Sequence, residues 1–317
     1  MYKSLLTLTV MSVIASTAYA SDVDSLIPDL LNLRNPELRA EPPLLGIHWT
    51  REYGNTHALS LGGTRRSPNM TFHGGNIMPT VVSRAIFWGP SWANPTFAAD
   101  KITGIDSWYS GHNNSKYAMT VNEYIGSNGQ VGSSGFVHQG HIVDTSTAAG
   151  GSSASAILNE VCKQVTAGNI VPNSSGYGYY PVYSDVKRGS ANYCAWHSAG
   201  TCSGVPVQFA FFFNLDGDSS CDPRDTSGIH SQGLSAIANV TAHELAEARS
   251  DPSNPGAWYD SSGAENGDKC AWTFNVPLVA FADGIKWKLQ GEWSNNAYNN
   301  GTGYANSSGL KGCVSGN

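Results

Sequence analysis

A nearly continuous apolar segment at residues 205–213 (VPVQFAFFF) is the strongest constraint on the fold of this chain. A strand with one face in water alternates apolar and polar residues, whereas a strand covered on both faces is apolar throughout. We therefore expect this segment to lie inside a sheet that carries helices on both sides. Further strands are predicted at residues 81–88, 117–125, 136–143 and 179–183.

Helical patterns alternate with these strands, at residues 97–109, 152–166 and 233–249. The last pattern is the most regular, and Pro252 and Pro255 prevent its continuation. Strands interleaved with helices predict an α/β fold, a layered mixed sheet with flanking helices, and the alternative is an α+β arrangement. From residue 268 onward, aromatic and polar residues among Gly and Asn predict short antiparallel strands.

The first 20 residues have the three parts of a secretory signal peptide. Lys3 supplies the positive charge, residues 5–15 are mostly apolar, and Ala18-Tyr19-Ala20 is a small-x-small cleavage site. The apolar stretch is well short of the roughly 20 residues that span a bilayer, which disfavours a membrane anchor. We predict no membrane span and a secreted or periplasmic protein, cleaved near Ala20.

The region between this segment and the predicted core is harder to interpret. Residues 21–69 lack a clear core pattern, and Arg65-Arg66 lies near their end. We expect either an N-terminal arm that packs on the domain or a removable pro-segment. Residues 70–317 contain no internal repeat and no clear boundary, which predicts a single domain.

The cysteine pattern predicts disulfides. An even number of cysteines, six, follows the predicted cleavage site, and no CxxC pair is present that would favour a zinc–cysteine site. We expect Cys270 to pair with Cys313 and to close the C-terminal segment. For Cys202, a bridge to Cys194 and a bridge to Cys221 both remain open.

Charge and aromatic content narrow the range of partners. The chain has 18 basic and 24 acidic residues, a net charge of −6 and no basic stripe, so we expect no nucleic-acid partner. Aromatic side chains near the C-terminus are candidates for a glycan-binding face. These are Trp287, Trp293, Tyr298 and Tyr304.

The segment His243-Glu244-Leu245-Ala246-Glu247 lies inside the most regular predicted helix. Its first and last side chains are four residues apart and project from one face. This is the spacing of the HExxH zinc helix, in which the outer residues bind zinc and the inner Glu is the general base. Because a carboxylate also binds zinc, we predict His243 and Glu247 as ligands and Glu244 as the catalytic residue.

A third ligand is expected in residues 264–268 (AENGD). Glu265 resembles the third ligand of the gluzincin metallopeptidases, which carry a Glu at a comparable distance. Asp268 then resembles the acidic residue that orients the histidine of the motif. Asp251 is a competing ligand, because it falls near the same helix face. We interpret His197, beside a Trp and near a Cys, as a structural residue, and the alternative is that it lines the site.

Short segments in a fixed order resemble the exordium, or phosphate-induced protein, family over about residues 70–275. They include residues 73–79 (HGGNIMP), residues 192–198 (NYCAWHS) and the apolar strand before Cys221. The resemblance implies export and an exordium-like domain at residues 70–317. The family is known mainly from secreted plant proteins tied to cell-wall growth, with no agreed enzymatic activity. Bacterial relatives look like carriers of HELxE and E-x-G-D-x-C, as here, so the chain resembles a bacterial member.

Together these features predict a secreted zinc-dependent metallopeptidase that hydrolyses a peptide or protein substrate. His243, Glu247 and Glu265 would hold the zinc ion, and Glu244 would take a proton from water. The alternative is a non-enzymatic cell-surface or wall-associated binding protein with a structural metal site. That site would hold calcium or zinc, and its extra carboxylates favour a hard cation such as calcium more than an HExxH site would. The partner would be a cell-wall or surface glycan.

Overall fold

A six-stranded mixed sheet is the main element of the fold. The structure is a computed structural model that describes residues 44–54, 67–132 and 134–317. The predicted signal peptide and most of residues 21–69 lie outside these ranges. In chain order the strands are β1 (Leu44–Trp49), β2 (Thr71–Phe72), β3 (Val81–Trp88), β4 (Ile125–Gly126), β5 (Gly129–Gln130), β6 (Phe136–Asp144), β7 (Gly178–Lys187), β8 (Tyr193–Cys202), β9 (Val205–Asn214), β10 (Trp258–Tyr259), β11 (Val279–Ala280), β12 (Lys286–Trp287), β13 (Glu292–Trp293), β14 (Tyr304–Ala305) and β15 (Lys311–Val314).

The helices cover both faces of the sheet. They are α1 (Pro95–Ala98), α2 (Lys101–His112), α3 (Ala154–Thr166), α4 (Gln232–Ser250), α5 (Asn266–Lys269) and α6 (Asn295–Asn300), with 3₁₀ turns at Pro90–Ala93 and Ala118–Val121. The strand order is β1-β8-β9-β7-β3-β6. The pairs from β9 to β6 are parallel, and β1, β8 and β9 pair antiparallel. The predicted α/β fold, a layered mixed sheet with flanking helices and disulfides, is confirmed.

Strand β9 contains the apolar segment and lies inside the sheet, between β8 and β7. Phe211 stacks on Trp196, whose indole N–H donates to Gly151 O on the α3 side. Phe212 stacks on Tyr183, whose hydroxyl is 2.9 Å from Thr241 Oγ1 of α4. Successive residues of β9 therefore enter opposite layers of the core, which explains why the segment is apolar throughout.

Helix α4 is enclosed on all sides rather than along one stripe, because every residue from Gly233 to Ser250 is buried. It begins after Ser231, whose hydroxyl accepts the N–H of Leu234. It ends at Asp251, before Pro252. One side of α4 packs on the sheet, and the C-terminal region covers the other, where β13, β14 and β15 form a small antiparallel sheet. The predicted helix and the predicted short C-terminal strands are both confirmed.

Three disulfides join these elements, and only one of the predicted pairs is among them. Cys270 pairs with Cys313 as expected. The other bridges are Cys162–Cys202 and Cys194–Cys221, so both alternatives for Cys202 are wrong. Cys194 and Cys202 lie at opposite ends of β8, and eight residues of extended chain separate them by about 26 Å.

One further local prediction is wrong, and another is confirmed only in part. The predicted strand at residues 117–125 is a 3₁₀ turn followed by β4. Its buried residues Tyr117, Val121 and Tyr124 have the spacing of a helical face, not of a strand. The predicted helix at residues 97–109 is divided, because Ala99 adopts a positive φ of 45° between α1 and α2.

The proposed glycan-binding tryptophans belong to the core. Trp293 and Trp287 are 0% and 1% exposed, so neither offers a ring face to a sugar. Trp287 stacks on His230 at 4.1 Å between ring centroids. In the described part of the chain, no helix combines the length and apolarity needed to cross a membrane.

Replacing Cys162 and Cys202 by serine tests how α3 is held to the sheet. The bridge joins residues 40 positions apart, and closing a loop of that size in the unfolded chain contributes about 4 kcal/mol. We expect urea unfolding to show a free energy of unfolding lower by about that amount. The wild-type chain in the same non-reducing buffer is the control, and an unchanged midpoint would contradict this role.

Candidate metal centre

Four elements bring imidazole and carboxylate side chains together beneath β1. Helix α4 contributes His243, Glu244 and Glu247 from its last turns, and the segment at the start of α5 contributes Glu265 and Asp268. Strand β8 contributes His197, and β1 contributes His48. All of these side chains except Asp268 are completely buried, and Asp268 is 21% exposed.

Alternation along β8 explains why His197 reaches this site. Trp196 faces α3, so its neighbour faces α4, where Glu247 lies. His197 Nε2 is 3.0 Å from Glu265 Oε2 and 3.7 Å from Glu247 Oε2. All three potential donor atoms of this group lie within 4.8 Å of one another. The sequence-based interpretation of His197 as structural therefore missed a residue that stands among the candidate ligands.

The three ligand atoms lie close against the backbone of β1. A Cβ atom at Gly46 would be 2.2 Å from Glu247 Oε2, 2.5 Å from His197 Nε2 and 2.7 Å from Glu265 Oε2. A side chain at residue 46 would therefore clash with them, and a cation cannot occupy that position either, because the Gly46 Cα atom lies one covalent bond away. One imidazole and two carboxylates within 4.8 Å of one another are a ligand set that suits a divalent cation.

A second group shares Glu247 through its other oxygen. His243 Nε2 is 2.9 Å from Glu247 Oε1 and 3.8 Å from Asp268 Oδ1. The Asp268 N–H donates to the same Glu247 oxygen at 3.0 Å, and Asp268 Oδ2 accepts the N–H of Glu265. The predicted support of His243 by Asp268 is longer than a hydrogen bond, and Asp268 instead holds the two glutamates in position.

Gln290 contacts the other ring nitrogen of His243. Its Oε1 accepts the backbone N–H of Trp272 and its amide nitrogen donates to Gly267 O, which fixes the orientation of the amide. The same nitrogen lies 3.1 Å from His243 Nδ1. His243 Nε2 is buried and makes no hydrogen bond with the described residues, although Glu247 Oε1 lies 2.9 Å away. His243, Glu247 and Asp268 therefore form a second group of side chains that could hold a metal ion.

Burial dominates the electrostatics of the group. It raises the pKa of Glu247 to about 8, with Asp251 adding to the effect, and lowers that of His243 to about 3. Burial, then Asp251 and Glu247, raises the pKa of the Glu265 carboxyl well above its usual value. In the described ranges, no Lys or Arg lies within 4.0 Å of these carboxylates. The site lacks the positive charge that buried carboxylates require, and a divalent cation would supply it.

The competing ligand Asp251 has a different role in the local structure. It caps the end of α4, and its Oδ1 accepts the N–H of Ala257 at 2.5 Å. The side chain is fully buried, close enough to Glu265 to raise the pKa of that carboxyl. Asp251 thus fixes the turn that leads from α4 towards Glu265, and it is absent from both groups with metal-binding geometry.

Glu244 stands apart from both groups and contacts β1. Its Oε1 accepts the backbone N–H of His48 at 3.1 Å, and its Oε2 has no hydrogen-bond partner among the described residues. Burial raises the pKa of Glu244, and the nearby Glu247 and Asp268 add to the effect. The residue predicted as the catalytic base therefore keeps one carboxylate oxygen available.

The ring of His48 fills a narrow slot. It stacks on His243 with 4.0 Å between centroids and on Trp272 with 4.6 Å. Both ring nitrogens are buried without a hydrogen-bond partner in the described part of the chain, and burial lowers the pKa of the ring. No short sequence motif indicated His48, Gly46 or Gln290 as residues of the site, because each of them reaches the site through long-range packing.

Comparison of the chain with protein-family models, with curated proteins and with solved structures found no match. The resemblance to the exordium family and to the gluzincins therefore stays a prediction.

Exchanging His197 and His243 for glutamine separates the two ligand assignments. His197→Gln removes the imidazole donor, and we expect the purified protein to lose its bound metal. His243→Gln is the matched control and should keep most of its metal, because His243 lies outside the group of His197, Glu247 and Glu265. Elemental mass spectrometry measures the metal per chain, with circular dichroism to verify folding. Metal lost from the His243 variant alone would reverse the assignment.

Proposed function

We propose that the protein is a secreted zinc-dependent peptidase of exordium-like fold, with its metal held by His197, Glu247 and Glu265. The observation that carries the proposal is that one ligand atom from each of these three buried side chains lies within 4.8 Å of the other two. Three disulfides support export. Among the described residues, no helix could span a membrane.

The donor set favours zinc over calcium. Calcium prefers six to eight oxygen ligands, whereas this group combines one imidazole with two carboxylates. Imidazole nitrogen suits zinc and other transition metals, and three protein ligands leave a coordination position for substrate. When bound, zinc would polarise the scissile carbonyl and lower the pKa of the attacking water.

Glu244 is the residue suited to move the proton. One of its oxygens is held by the His48 N–H, which leaves Oε2 to take a proton from water. The water oxygen then bonds to the carbonyl carbon and the carbon–nitrogen bond breaks. Glu244 returns the proton to the leaving amine nitrogen. His243 takes no part in this transfer.

The course of β1 supports a peptide as the substrate. The strand runs antiparallel to β8, with Gly46 opposite His197 and His48 opposite Ala195. Its extended backbone passes the candidate ligands at Gly46, and the N–H of His48 donates a hydrogen bond to Glu244. A polypeptide in this path has its peptide groups next to both the metal ligands and the base.

Glu244→Gln tests the chemistry. Since β1 covers the group, the assay uses a full-length chain with a protease recognition sequence inserted between residues 60 and 61, before and after cutting. We expect the cut, zinc-loaded protein to hydrolyse members of a peptide library and the Gln variant to lose about 100-fold or more in rate, while keeping its zinc. Glu160→Gln, a buried glutamate on α3, is the control. Hydrolysis that survives in Glu244→Gln would refute the peptidase proposal.

The complete burial of the group favours a second candidate, a structural cation site in a non-enzymatic wall-associated binding protein. Chelation distinguishes the metals involved. A cation at 100 times its Kd stabilises the fold by about 2.7 kcal/mol, so we expect exhaustive chelation to lower the Tm by about 5–10 °C. Recovery with zinc alone supports the peptidase, whereas recovery with calcium alone, and no hydrolysis, supports the binding protein.

A further inference from the structure

We propose that the groove between β8, α4 and Trp272 is a peptide-binding site selective for glycine followed, two residues later, by a planar ring, and that β1 occupies it as an internal ligand. The inference rests on the peptidase site proposed above. It names the class of peptide that the site would bind, and it explains why β1 covers the site.

Strand β1 lies at the edge of the main sheet, as a strand added to the other five would. The other five strands of the main sheet lie between residues 81 and 214, and β1 joins at the edge beside β8. If β1 leaves, β8 keeps its full pairing with β9. No cysteine precedes Cys162, so no disulfide fixes β1 to the domain. Addition of an extended peptide to a sheet edge is a common mode of peptide recognition.

Glycine is required where the bound backbone passes the metal ligands. Gly46 lies opposite His197, and any Cβ there would come within 2.2–2.7 Å of three donor atoms. Non-bonded atoms do not approach so closely. A peptide with alanine at this position must withdraw from the site or displace the donors, so the groove selects glycine by steric exclusion.

The ring preference comes from the slot two residues further on. His48 is on the same face of β1 as Gly46 and enters between His243 and Trp272. Its nitrogens make no hydrogen bond with the described residues, so recognition depends on the flat shape of the ring rather than on its polar atoms. Aromatic side chains therefore suit the slot as well as imidazole does.

Backbone groups complete the recognition. The His48 N–H donates to Glu244, and the carbonyl of Trp49 accepts the indole N–H of Trp272 at 3.0 Å. Together with the ladder to β8, these bonds hold an extended backbone independently of its side chains. Specificity is left to the glycine position and the ring slot.

Peptide binding in trans tests the inference without relying on hydrolysis. The protein is the full chain carrying Glu244→Gln and the inserted cleavage sequence between residues 60 and 61. The probe is a fluorescein-labelled peptide with the sequence of residues 44–51 (LLGIHWTR), followed by fluorescence anisotropy. We expect binding to the cut chain and none to the intact chain, because only in the cut chain can the N-terminal fragment be exchanged.

Peptide variants test the two specificity determinants, with no effect on the folding of the protein. Alanine at the position of Gly46 should weaken binding at least about tenfold. Phenylalanine at the position of His48 should preserve binding, whereas alanine there should weaken it about tenfold. A scrambled peptide is the control. Equal binding of the glycine and alanine peptides, or no binding of any peptide to the cut chain, would overturn the inference.

The remaining outcomes separate this inference from the peptidase proposal. Unfolding of the domain when the fragment leaves would show that β1 is an integral strand, and would overturn the inference. Equal hydrolysis by the intact and cut chains with Glu244 restored would also overturn it and leave the peptidase standing. Peptide binding without any hydrolysis by that zinc-loaded protein would leave the inference standing and refute the peptidase.

Discussion

The interaction on which this structure depends is the packing of buried carboxylates around two imidazoles, with no Lys or Arg of the described ranges within 4.0 Å of Glu247 or Glu265. Glu247 and Glu265 are completely buried, and their ion-pair contacts there are to His197 and His243. Leaving such groups ionised and unpaired costs several kcal/mol each. A divalent cation held by His197, Glu247 and Glu265 would remove that cost.

The packing of β8, α4 and the segment around Glu265 keeps the ligand atoms of His197, Glu247 and Glu265 close together. The antiparallel position of β8 beside β9 turns His197 towards α4, and the enclosure of α4 forces its polar residues to find partners inside the fold. Asp251 and Asp268 hold the backbone on either side of Glu265. Gln290 contacts Nδ1 of His243, and Nε2 of the same ring lies in the second group, with Glu247 and Asp268.

Much of the framework was predictable because it is encoded locally. The apolar run of β9, the helical period of α4 and the spacing of Glu247 and Glu265 are each visible within a short window. Strand β1 was missed, since LLGIHW has no alternation and acquires its structure only by pairing with β8. His197 and the bridges of Cys202 and Cys194 were misjudged for the same reason. Which strand lies next to which is a long-range property that periodicity does not contain.

Locating the metal in a crystal by anomalous diffraction at the zinc absorption edge tests the central claim most directly. We expect one peak, about 2.0–2.2 Å from His197 Nε2 and from one oxygen each of Glu247 and Glu265. A peak bonded to His243 Nε2, or no peak in zinc-loaded crystals, would contradict it.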